Sequence, residues 1–82
     1  MQNFTKRVAV DEGFSAQFSF HQIYMVNGPY YHVSVMDGKG QNFAFSMELK
    51  KGKWKIINAP KIPRWIMTQE TKLGRILKSN LD

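Results

Sequence analysis

Tyr31-His32-Val33-Ser34-Val35-Met36-Asp37-Gly38-Lys39-Gly40-Gln41-Asn42-Phe43-Ala44-Phe45-Ser46-Met47 is the stretch that decides the fold. Bulky apolar residues stand at 31, 33 and 35, and again at 43, 45 and 47. This is the period of two expected of strands with one buried face. Between them, Gly38-Lys39-Gly40 reads as a three-residue hairpin loop, with glycine in the third place, where the backbone turns left-handed. That loop length pairs Val35 with Phe43, Val33 with Phe45 and Tyr31 with Met47, so all six residues share a face.

The same test extends in both directions. A two-residue Lys51-Gly52 turn sets Leu49 against Trp54 and Met47 against Ile56. On the other side, an Asp11-Glu12-Gly13 loop sets Val10 against Phe14, Val8 against Ala16 and Phe4 against Phe20. A four-residue connection, Asn27-Gly28-Pro29-Tyr30, places Val26 opposite Tyr31 and Tyr24 opposite Val33. In each hairpin, turn length and apolar pattern agree, and consistency across levels is what specifies a structure. The expected strands are 4–10, 14–27, 30–37, 41–50 and 53–58, forming an antiparallel meander.

After Asn58-Ala59-Pro60 the period changes. Pro63 suits the first turn of a helix, and a helix over 63–80 gathers Trp65, Ile66, Gln69, Leu73, Ile76 and Leu77 into one stripe. Arg64, Arg75 and Lys78 lie opposite that stripe. The fold class is therefore α+β: a curved five-stranded antiparallel meander with one C-terminal α-helix on its apolar face, in a single domain over 1–82. The expected core is Val8, Phe18, Phe20, Val33, Val35, Phe43, Phe45, Met47, Trp54, Ile56, Ile66, Leu73 and Leu77. Five strands followed by a helix is similar to single units of Pur-type and Whirly-type nucleic-acid-binding domains. The similarity is one of architecture alone, and architecture does not fix function.

Composition narrows the classes of function. Of 82 residues, 43% are apolar and 22% charged, which is a globular balance. There is no cysteine, so disulfides and thiolate metal sites are excluded. No run is long and apolar enough to span a bilayer. The opening Met1-Gln2-Asn3-Phe4-Thr5-Lys6-Arg7 lacks the apolar core of a secretory signal, which gives a cytoplasmic expectation. The six acids form no catalytic pair: Asp11, Glu12 and Asp37 fall in turns, Glu48 faces Lys55, and Glu70 lies on the helix flank. No nucleophile or phosphate-loop motif occurs. In the register above, His21 faces Met36 and His32 faces Met25, so the two histidines are not neighbours and no metal site forms. No enzyme activity, cofactor or metal is implied.

Two surfaces remain. The net charge is +6, carried entirely by the last third of the chain. From residue 50 onward nine cations stand against Glu70 and Asp82, and between Lys50 and Arg64 there are six cations and no acid. Lys50, Lys51, Lys53, Lys55, Lys61, Arg64, Arg75 and Lys78 are the candidates for contact with a nucleic-acid backbone. The second surface is the sheet face opposite the core, where Ile23, Met25, His32, Met36 and Ile57 lie among the small residues Ser34, Ala44 and Ser46. A face of this kind looks built to be covered, by a partner protein or a second copy of the chain. The expected function is a small non-catalytic protein-interaction or self-associating module. Nucleic-acid binding through the basic third is the first alternative, and binding of a small ligand the second.

Overall fold

Five strands run in sequence order across one antiparallel sheet: β1 (Asn3–Asp11), β2 (Phe14–Met25), β3 (Gly28–Met36), β4 (Asn42–Lys50) and β5 (Lys53–Ile57). Two helices follow, α1 (Arg64–Met67) and α2 (Glu70–Leu81), and α2 packs against β5. This computed structural model describes residues 3–11, 13–25, 28–57 and 61–81. The architecture is the expected α+β meander with a helical cover.

Three hairpins hold the expected pairings. Val33 lies opposite Phe45, Met47 opposite Ile56, and Phe4 opposite Phe20. Around Gly38–Gly40 the Asp37 carboxylate accepts the backbone N–H groups of Lys39 and Gln41, each at 2.8 Å. Gly40 is left-handed at φ +84°, the conformation a glycine adopts without steric cost. In the first hairpin the structure departs by one residue. Asp11, not Val10, pairs with Phe14, and Val10 is taken up as an irregularity in β1. Such an extra residue sharpens the local twist. Glu12, in the expected loop, lies outside the described residues.

The β2–β3 pairing corrects the expected register. Phe18 faces Val35, Phe20 faces Val33, and His21 faces His32. The strands are therefore slipped four residues from the expected pairing, because β2 runs to Met25 and β3 already begins at Gly28. Asn27-Gly28-Pro29 has turn composition, yet Gly28 and Pro29 pair with Met25 and Tyr24. Proline is tolerated near the start of a strand. The expected connection at Asn27 and the pairing of Val26 fall outside the described residues.

A slip of four is even, so each side chain keeps its face. The core consequently forms nearly as expected. Val8, Phe18, Phe20, Val33, Val35, Phe45, Met47, Trp54, Ile66, Leu73 and Leu77 are buried, with Ala16 and Tyr31 in addition. Phe43 and Ile56 are half-buried at its margin. Tyr31 sits among three rings, edge-on to Phe4, Phe20 and Trp54 at centroid distances of 6.2, 6.5 and 5.6 Å. Trp65 packs edge-on against Phe14 and Phe43 at the other end of the sheet.

The expected continuous helix is broken at Thr68-Gln69. The Thr68 hydroxyl donates to the Trp65 carbonyl at 3.1 Å, and the Gln69 N–H bonds Ile66 O at 2.9 Å, tightening the turn. Hydroxyl side chains compete in this way with the helical ladder. The apolar stripe continues through the break, since Ile66, Gln69, Leu73 and Leu77 are all buried.

Candidate functional site

Edge strands expose unpaired backbone groups, and both edges of this sheet are approached by α2. At the β5 edge the Ile56 N–H donates to Glu70 Oε2 at 2.9 Å. At the β1 edge the Lys72 ammonium donates to the Ala9 carbonyl at 2.7 Å. Two oppositely charged side chains, two residues apart, thus tie one helix to the first and the last strand.

Between β5 and α2 an open cleft of about 700 Å³ remains. Its floor is apolar: Leu49 and Trp54 from the sheet, and Gly74 from the helix. Gly74 is there because the helix passes very close. A β-carbon at that position would stand 3.2 Å from Trp54 Cβ. The rim is basic, with Lys53 and Lys55 from β5 and Arg75 and Lys78 from α2, all exposed. The one carboxylate in the lining is Glu70, already engaged by the Ile56 N–H. Its single negative charge is outnumbered by the four cations, so the rim stays positive, and a concave surface with an excess of one sign focuses the field on an approaching anion.

The structure divides the eight expected backbone-contacting cations. Lys53, Lys55, Arg75 and Lys78 come together around the cleft. Lys50 lies directly opposite Lys53, and Lys51 sits at the hairpin tip with φ +52°. Both belong to the same basic edge without lining the cleft. Lys61 and Arg64 are exposed ahead of α2 and do not line the cleft. The helix that Lys61 precedes and Arg64 opens has only four residues, so it offers no extended N-terminal field. The sequence reading missed the cleft's floor residues and the cations Lys6 and Lys72. These two, with Arg75, line a shallower depression of about 220 Å³ on the far side of α2. The helical period of the exposed cations was the signal that could have found the α2 side of this arrangement.

Among the described residues, no exposed aromatic ring lines the basic cleft. Trp54 is only 8% exposed. Tyr30, on the opposite sheet face, is half-buried, and its hydroxyl donates to Ser46 Oγ at 2.8 Å.

The corrected register also rearranges that opposite face. The expected pairing set Ile23, His32 and Met36 close together beside Met25. In the structure Ile23 lies level with Tyr30, and Met36 is aligned with Asn42 at the other end of the sheet. Along the strands, the levels of Ile23 and Met36 are about 20 Å apart. Between them run a row of Thr5, Ser19, Ser34 and Ala44 and a row of Asn3, His21, His32 and Ser46. Ile23 is 39% and Met36 52% exposed, as separate residues and not as one patch. Ile57 sits at the edge opposite Ser46, and the Met25 side chain lies outside what the structure describes. The two histidines, expected apart, are direct cross-strand partners. Among the described residues, however, no group of three or more His, Asp or Glu side chains gathers. No helix among the described residues is long and apolar enough to cross a membrane.

No protein family, no curated protein and no solved structure matches this chain.

Proposed function

We propose that the chain is a non-catalytic interaction module, that the β5–α2 cleft is its binding surface, and that its partner is acidic. The observation that carries this reading is the composition of the cleft. Four cations from two separate elements converge on an apolar floor, and the one carboxylate in the lining is committed to a backbone N–H. An apolar centre with a charged rim is the usual anatomy of a protein-binding surface. A protein segment fits better than single-stranded nucleic acid, because the aromatic ring in the floor is buried and a base has nothing to stack on.

The test is a salt-series titration with an acidic peptide and with single-stranded and duplex oligonucleotides of equal charge. The peptide should bind more tightly than either oligonucleotide, and its affinity should fall as salt is added. The double variant Lys53→Ala with Lys55→Ala should lose about fivefold in affinity while remaining folded. Tighter binding of the oligonucleotides would transfer the cleft to nucleic acid. Equal affinity in the double variant would remove the cleft from the binding surface.

A further inference from the structure

Resting on the reading of the cleft as the site for an acidic partner, we infer that the partner enters it as an extended strand and pairs with the outer edge of β5 at Trp54. The orientation of the β5 backbone is the starting point. In an antiparallel pair, residues alternate between facing their neighbour with N–H and C=O and turning both groups away. The Ile56 N–H bonds the Glu70 carboxylate, so it points away from β4. Trp54, two residues earlier on the same strand, has its N–H and C=O turned the same way. Among the described residues no backbone or side-chain group of another element bonds that peptide unit. One donor and one acceptor are therefore presented side by side at the cleft.

Addition of a strand to such an edge gives affinity through the backbone and specificity through alternate side chains. Here the alternation is set by charge. Lys53 and Lys55 project from one face of β5, and Trp54, between them, belongs to the apolar face. A segment lying alongside would place every second residue next to the lysines. The residues between would face Trp54 and the closely approaching Gly74. The matching sequence is acidic at alternate positions and apolar at the others. Edge lysines also discourage pairing with another copy of this basic chain. The same two residues thus repel self-pairing and attract an acidic strand.

The probe is a capped seven-residue peptide of alternating Glu and Val, with a set of variants singly N-methylated at each successive amide. Bound to the full chain, the parent peptide should slow hydrogen exchange at the Trp54 amide. N-methylation should reduce affinity about tenfold at the amide that meets the Trp54 carbonyl and leave the amides on either side of it nearly unchanged, because those turn away from β5. Salt-dependent binding that is indifferent to all N-methyl groups, with unaltered exchange at Trp54, would overturn strand addition while leaving the acidic-partner reading in place. Failure of the peptide to bind at low salt would overturn both.

Discussion

Tyr31 and Gln69 show how single buried polar groups set measurable terms in stability. Tyr31 is fully buried, and burial holds its phenol above the usual tyrosine pKa. In the unfolded chain the phenol ionises near pH ~10, while the folded protein keeps the proton. The unfolded state therefore binds fewer protons as the solution becomes alkaline, and stability falls as pH rises through that range. Urea midpoints at about pH 9 and about pH 11 should show the loss, and Tyr31→Phe should lessen it. Parallel loss in wild type and variant would assign it to other groups. Gln69 is 5% exposed, and its Oε1 has no hydrogen-bond partner among the described residues. Its amide nitrogen reaches only the Thr68 hydroxyl, at 3.2 Å. Gln69→Met keeps the length and removes a carbonyl that lost its water, so it should stabilise by about 1 kcal/mol. A lower urea midpoint would show that the amide has a role in the break between the helices. The sequence placed Gln69 on the apolar stripe correctly, since spacing alone fixes the face of a helix. It gave no sign that the helix stops there, because the competing bond depends on where the Thr68 hydroxyl turns.

Among the elements, the β4–β5 hairpin carries both strain and charge. Lys51 is the one non-glycine residue with positive φ among the described residues, beside Gly52 at φ +80°. Two left-handed residues in succession make the two-residue turn that suits the twist of paired strands, and Asn-Gly is its preferred sequence. A side chain with a β-carbon costs about 1 kcal/mol in that conformation. Lys51→Asn should raise stability by about 0.5–1 kcal/mol in urea unfolding, with the hairpin register unchanged. Unchanged or reduced stability would mean that the strain is relieved elsewhere in the turn. The length of this turn was readable, and with it the Leu49–Trp54 pairing. The β2–β3 register was not readable from the same kind of argument. A slip of four leaves every residue on its own face, so the apolar pattern cannot detect it, and Gly28-Pro29 mimics a turn while belonging to a strand. For the same reason the core was legible while the cross-strand neighbours of His21 and His32 were not. The cleft was half legible. Lys53 and Lys55 stood out as a run, but Arg75 and Lys78 join them only because α2 folds back along β5. Lys61 and Arg64, nearer in sequence, stay outside.

Over the whole molecule, the radius of gyration is 12.2 Å, close to the ~11.7 Å expected of a compact chain of this length. The extents are 37 × 26 × 22 Å, so the molecule is elongated. Helix α2, with Leu73 and Leu77 buried in the core, also ties down both edges, through Glu70 at Ile56 and Lys72 at Ala9. Packing and edge protection therefore rest on the same element and fail together. If α2 lifts away, the molecule does not merely loosen. It uncovers an aromatic surface and two hydrogen-bonding borders in one step, the combination from which cross-β fibrils grow. Asn42-Phe43-Ala44-Phe45-Ser46-Met47 adds a six-residue window with no charge, proline or glycine. The double variant Glu70→Ala with Lys72→Ala should accordingly form thioflavin-positive fibrils at temperatures where the wild type remains clear. Reversible unfolding of the variant without fibrils would show that the sheet guards its own borders. Otherwise the lifetime of the protein in solution is set by how rarely one twelve-residue helix opens.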